Sequence, residues 1–326
     1  MKKRFGVRGL SLGIATLALA LGGATLPGHA DDFPEKPITV IIPFSAGGSH
    51  DINARVFTSI IPEYLGQPVI VKLTPGAGGQ KGTAEAIEAP ADGYTLLFTH
   101  NFIDELQPLV ENLPYDTNED LEMVARVNSA PPIYWVRADS PWQTLDDMIA
   151  DAKANPGKIR FAHSGKWGTS FTAGALLFTN SDAEVTFLPY KGGGPAKQAV
   201  LAGDADMTVG RPSTVLSDIE AGTARPLLVG GTERMEAFPD VPTTEELGMG
   251  SSAVMHRIVL APKGVPEERM EKLRTAFRDM QEDKTYNNLM SKLGEDTDYL
   301  DGPEYQTLRQ EQADKYLDLV KRITGG

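Results

Sequence analysis

Residues 38–55 read ITVIIPFSAGGSHDINAR. An apolar, β-branched run, a proline, a cluster of small residues and a helix-compatible stretch make a strand, a tight turn and a helix start near Asp51. The unit recurs. "PVIVKL" leads into "TPGAGGQ" and a helix over 82–89, and "YTLLFTHN" follows the turn Asp92-Gly93. "KIRFAHSG" leads into "KWGTS" and a helix over 171–178, and "VTFLPY" leads into "KGGGP" and a helix over 196–201. Alternating β and α units with near-continuous apolar strands predict an α/β fold with mostly parallel sheets covered by helices.

Residues 131–141, "PPIYWVRADSP", break this rhythm with a strand between prolines and predict a crossing between two lobes. Residues 206–228 are expected to return the chain, and 266–293 to form one amphipathic helix with Met270, Leu273, Phe277 and Met280 on its apolar face. The expected organisation is a leader over 1–30, a first lobe from 31–130, a second from 131–225, and a return to the first lobe over 226–326. A ligand cleft lies between the lobes.

Lys2, Lys3, Arg4 and Arg8 precede an apolar stretch from Leu10 to Leu26, with small residues at Gly28 and Ala30. That is the pattern of a secretory signal peptide cleaved after Ala30. No later segment is apolar for long enough to span a bilayer, and the chain has no cysteine for a disulfide or lipid anchor. Together these features predict a soluble periplasmic protein, read as a monomer. Losing the four basic residues of the leader takes the formal charge from −13 to −17. Such a surface repels nucleic acid and anionic lipid, so attraction for an anionic ligand must be local.

In open α/β sheets, ligands sit beyond the carboxyl ends of the strands, where loops meet helix N-termini. The glycine corners occupy that position. Free backbone N–H groups at a helix start bind carboxylate or phosphate without a basic side chain, and glycine lets the backbone approach. "SGKWGTS" and "GAGGQKG" match neither the P-loop nor the dinucleotide fingerprint, so no nucleotide cofactor is expected. There is no G-x-S-x-G, and no spacing selects Ser45, Ser49, Ser164 or Ser170 as an activated nucleophile.

His50, His100 and His163 each follow a strand-like run and can face one cleft, with His256 elsewhere. They lack the close spacing of a metal site and suit hydrogen bonding to a carboxylate, or a solvated loop. Asp51, near a helix start with Arg55 four residues on, suits the helix dipole. Trp167, Tyr190 and Lys191 stand beside the corners of the second lobe, able to cover a ligand or to form a rim.

The corners also carry a resemblance. "KPITVIIPFSAGGSHDINAR", "GQPVIVKLTPGAGGQKGT", "PADGYTLLF", "LPYDTNEDLEMVARV", "ANPGKIRFAHSG", "LPYKGGGPA", "LAGDADM" and "FPDVPTTEELG" follow one another from about Phe33 to the C-terminal helices. In that order they resemble the substrate-binding proteins of tripartite tricarboxylate transporters, the Bug or TctC-type family. The resemblance implies a two-lobed, type II-like periplasmic receptor, a Venus flytrap that closes on a small organic acid and delivers it to an integral-membrane permease. It implies no catalysis and no cofactor.

In the family, one carboxylate is held by the loop corresponding to Phe44–Asp51, including Ser45, Gly47, Gly48, Ser49 and His50, largely through backbone amides and bridging waters. Loops corresponding to Ser164–Ser170, including Trp167 and Thr169, and to Tyr190–Gly192 close from the other lobe. Thr99, His100 and Asn101, ending the third strand, complete the expected site with Gly210 and Arg211. The chain departs from the family at Phe171 and Thr172, at "AVMHRIVLAP" over 253–262, and at Gly210-Arg211 after "GDADM". Arg211 and the histidines suit a second carboxylate; Trp167 and Phe171 suit an aromatic acid. A sensory binding module, and a histidine-dependent hydrolase or metal enzyme, are the rival classes.

Overall fold

β1 (Ile38–Ile42) lies inside the first of two sheets, and its burial reflects the apolar run that builds it. In this computed structural model the described residues are Met1, 32–249 and 253–325. The expected signal peptide, past Met1, lies outside them.

The first sheet also holds β2 (Val69–Leu73), β3 (Thr95–His100), β4 (Leu121–Ala130), β10 (Met255–Pro262) and β11 (Leu300–Asp301), in the order β11-β4-β10-β3-β1-β2. The second holds β5 (Ile133–Arg137), β6 (Arg160–His163), β7 (Thr186–Pro189), β8 (Met207–Gly210) and β9 (Ala224–Val229), in the order β7-β6-β8-β5-β9. The helices are α1 (Ser49–Ile60), α2 (Pro62–Leu65), α3 (Gln80–Ile87), α4 (Gln107–Val110), α5 (Thr117–Asp120) and α6 (Leu145–Ala154). They continue with α7 (Thr169–Asn180), α8 (Gly193–Ala202), α9 (Pro212–Glu220), α10 (Glu267–Gln281), α11 (Lys284–Lys292) and α12 (Gly302–Thr324).

The two-lobed α/β architecture is the expected one, but each sheet is mixed rather than mostly parallel. Among the strands of the two sheets, parallel ladders belong to the βαβ units: β1 with β2 and β3, and β6 with β7 and β8. β4, β5, β9, β10 and β11 pair antiparallel, β4 and β5 because the chain runs out of one sheet and straight into the other through Pro131-Pro132. Neither proline can donate to a ladder, which ends β4 there.

The expected return over 206–228 does not occur. β8 and β9 both flank β5, so a boundary at residue 225 falls inside β9. The chain rejoins the first sheet only at β10, which inserts between β3 and β4. The two crossings lie side by side, Gly230 N donating to Pro132 O at 2.7 Å.

The single helix expected over 266–293 is two. Asp283 interrupts it, its carboxylate accepting from the backbone N–H groups of Thr285 and Tyr286 and so capping α11. Met270, Leu273, Phe277 and Met280 are buried as the periodicity predicts. α12 begins against the first sheet, where Gly302 admits the Met123 carbonyl, and ends with Tyr316 and Leu319 in the second lobe's core.

Candidate functional site

The carboxyl ends of β1, β3, β6 and β8 open onto one cavity of about 50 Å³ between the sheets. Helices α1, α7 and α8 begin at its wall, and none has a side-chain cap on its N-terminus. Their first N–H groups therefore remain available to a ligand.

Glycines form the seam where the two lobes meet beside the cavity. A Cβ on Gly194 would stand 2.6 Å from Ala46 O, one on Gly165 2.7 Å from Gly78 Cα, and one on Gly192 3.1 Å from Ser45 N. Each contact joins a corner of one lobe to a corner of the other, so these glycines let backbone approach backbone. Ser45 Oγ donates to Lys191 O at 2.7 Å, and Gln107 Nε2 donates to Gly78 O at 3.0 Å beside Lys166 O, adding hydrogen bonds to the seam.

On the first-lobe wall, Phe44 stacks on His100 with ring centroids 5.3 Å apart and planes 9° from parallel. His50 lies 5.1 Å from His100. Burial holds both imidazoles well below their ordinary range; His100 and Arg257 reinforce this at His50, and Arg211 and Arg257 at His100. Both rings are neutral at neutral pH, and His50 Nε2 and His100 Nδ1 are buried without a hydrogen-bond partner.

On the second-lobe wall, Ser170 Oγ accepts from Ser164 N and meets Ser164 Oγ, both at 2.8 Å. Arg211 is 4% exposed. Its Nη1 donates to Gly210 O at 2.8 Å, whereas Nε and Nη2 are buried without a partner among the described residues. Burial, then the nearby Arg257 guanidinium, pulls Arg211 down to about 9. Lys197 also lines the cavity, but its charge is matched by Asp218 at 2.5 Å.

Behind the cavity, Arg257 and Glu295 form a bidentate ion pair at 2.8 and 3.1 Å, both side chains fully buried. Arg257 also reaches Asn128, Asn128 reaches Asn53, and Asn53 reaches Ser213 Oγ of the second lobe at 3.3 Å. Glu295 accepts from Ser213 N at 3.1 Å, holding the same lobe. The network is polar, buried and shared by both lobes.

Of the residues expected at the site, Phe44, Gly48, Ser49, His50, His100, Ser164, Thr169, Ser170, Gly210 and Arg211 line the cavity. Ser45, Tyr190 and Lys191 border an open groove of about 700 Å³ on the other side of the seam. Gly47, Asp51, Thr99, Asn101, Trp167 and Gly192 line neither. Asp51 holds its own loop, accepting from Gly47 N at 2.9 Å and pairing with Arg55. Thr99 is buried within β3, and the Asn101 amide is engaged by Val254, Tyr316 and His256. Trp167 and Phe171 pack on each other, Trp167 within the second-lobe core and Phe171 against His163. His163 is therefore an aromatic-cluster residue, apart from His50 and His100.

Trp135, Lys197, Thr208, Thr214 and Met255 line the cavity without having been singled out. Trp135 had a readable signal: period-two alternation in β5 puts Ile133 and Trp135 on one face and Tyr134 and Val136 on the other. Among the described residues, no group of three or more His, Asp or Glu is placed to hold a metal ion.

Comparison with known proteins gives this geometry a context. The sequence profile described as "Tripartite tricarboxylate transporter family receptor" matches residues 53–324. The chain is 31% identical over 323 residues to "UPF0065 protein in gbd 5'region" of Cupriavidus necator, covering 99% of this chain and 98% of that one. It is 34% identical to the protein BugT of Bordetella pertussis over 78% of each. Among solved structures, the periplasmic binding protein BugD superposes with a TM-score of 0.85 at 27% identity, covering 90% of this chain and 99% of that one. MatC from Rhodopseudomonas palustris, with bound malate, superposes with a TM-score of 0.82 at 27% identity, covering 88% and 100%. The chain belongs to the tripartite tricarboxylate transporter family of receptors, solute-binding proteins rather than enzymes.

Proposed function

We propose that this receptor is periplasmic, closes on a small organic carboxylate, and delivers it to the integral-membrane permease of a tripartite tricarboxylate-type transporter. One observation carries the reading: a cavity between the lobes with three uncapped helix N-termini and a buried guanidinium that has no carboxylate partner among the described residues. A carboxylate is the group these donors complement, and malate bound to MatC is consistent with it. A ligand touching both lobes stabilises the closed form by its differential affinity, which a permease can recognise in place of the solute.

Native mass spectrometry of the mature protein, followed by thermal shift against aliphatic di- and tricarboxylates, aromatic acids and neutral amides, tests the reading. A ligand at one hundred times its dissociation constant stabilises by about 2.7 kcal/mol. Stabilisation by one acid class, with the acid recovered unchanged, supports the receptor reading. No shift with any acid, or a chemically altered acid, removes it. Loss of uptake in a strain lacking the protein tests delivery to a permease.

A further inference from the structure

Four arginines are buried among the described residues: Arg126, Arg211, Arg257 and Arg309. Arg126 pairs with Asp298, Arg257 with Glu295, and Arg309 with Asp104. Arg211 has no carboxylate partner among the described residues, and it is the one of the four that lines the cavity. An unpaired buried charge is costly, so a site that keeps one has a use for it.

The open edge of this guanidinium is specific. Nη1 is held by Gly210 O, which leaves Nε–H and Nη2–H, two adjacent donors matched to the two oxygens of a carboxylate. Trp135 Nε1, 1% exposed by residue and also without a partner, lines the same cavity. Gly210 keeps that N–H uncovered, since a Cβ there would lie 3.1 Å from Trp135 Nε1.

We propose that Arg211 is the specificity-determining counter-ion of this receptor, taking a ligand carboxylate side-on through Nε and Nη2 with Trp135 Nε1 as a third donor. It also acts against closure without cargo. Arg211 belongs to the second lobe and Arg257 to the first; Arg257 stands behind the cavity and is joined through Glu295 to Ser213 N, two residues on from Arg211, so the two like charges face each other when the lobes meet. Glu295 is committed to Arg257 by both of its oxygens. Closing an empty receptor therefore brings two guanidiniums together over one carboxylate, and a bound anion supplies the second. The proposal deepens the carboxylate-receptor reading and rests on it for the ligand's class.

The test uses the full mature chain, as wild type, Arg211→Met and Arg211→Lys, in two arms. Without ligand, thermal unfolding and small-angle X-ray scattering should show Arg211→Met melting higher and adopting a smaller radius of gyration than wild type. An unchanged or lower melting temperature together with an unchanged radius overturns the proposal, whatever the ligand. With malate, succinate and benzoate as probes, Arg211→Met should weaken any acid that wild type binds by about a hundredfold, with Arg211→Lys intermediate. Equal affinity in wild type and Arg211→Met overturns Arg211 as counter-ion and leaves the receptor reading standing. If wild type binds neither these three probes nor any acid of the wider panel, the receptor reading fails, and the ligand-free arm still decides whether Arg211 opposes closure.

Discussion

Gly165 and Gly78 meet backbone to backbone, so close that a Cβ on Gly165 would fall 2.7 Å from Gly78 Cα. The two residues come from different lobes, and the same relation joins Gly194 to Ala46. A glycine corner of this kind serves the joint between lobes as much as the ligand, because only a residue without a side chain lets the seam close.

Gly194→Ala separates closing from folding. Gly194 lies within α8, where alanine favours the helix by up to about 1 kcal/mol, but its Cβ would strike Ala46 O in the closed form. The ligand-free variant should melt no lower than wild type while calorimetry shows carboxylate affinity reduced at least about tenfold, a penalty of about 1.4 kcal/mol. Unchanged affinity would mean that binding does not need this seam.

Glu295→Gln should destabilise the protein by about 3–5 kcal/mol in urea unfolding, since it leaves Arg257 uncompensated in a fully buried site. Ser213 N would keep an acceptor, so the loss comes from charge. A change below about 1 kcal/mol would show that water reaches the pair.

The histidines set an acid-side dependence. His50 and His100 are held well below their ordinary range by burial, and His256 falls to about 4 for the same reason. The unfolded chain binds protons at these sites first, so stability from them is present above the ordinary histidine value of about 6.5 and is lost as pH falls below it. NMR titration of the ligand-free protein should keep the His50 and His100 rings in their neutral form at pH 6. A midpoint near 6.5 for either would contradict its burial.

An opposite slope comes from the cluster joining α12 to the π-helical segment Phe102–Leu106 that follows β3. Burial, with Asp104 beside it, pushes the Glu105 carboxyl up to about 8, and burial pushes Asp104 to about 6 against the pull of Arg309. Tyr305 donates to Glu105 at 2.6 Å, while Glu105 Oε2 is buried without a partner, as suits a protonated acid. The folded state binds the proton more tightly, so this contribution is full below about 4.5 and is lost as pH rises to about 8. Glu105→Gln, which mimics the protonated group, should be more stable than wild type at pH 8.5 and similar to it at pH 5. Equal pH profiles for the two proteins would refute the shift.

Much of the cavity's lining was legible because its signals are local. A strand's apolar run, a glycine corner and a helix start lie close together in the chain, and such corners carry Phe44, Gly48, Ser49, His50, His100, Ser164, Thr169 and Ser170 to the cavity wall. Trp167 and Asn101 do not line the cavity, for the converse reason. They stand beside the right corners, but Trp167 is drawn into an apolar core and the Asn101 amide is engaged by residues more than 150 positions away. The break between α10 and α11 was also local, and Asp283 marked it as a helix cap.

The amino-acid sequence alone determined the alternating α/β units, the crossing at Pro131-Pro132, the position of the corners and the family, because propensity, periodicity and ordered motifs act over short spans. Tertiary structure alone decided that β10 returns between β3 and β4, that glycines of opposite lobes touch, and that Arg211 faces a cavity without a carboxylate partner among the described residues. Those are relations between segments distant in the chain, set by which surfaces pack together, and a charge is known to be unpaired only when every neighbour has been placed.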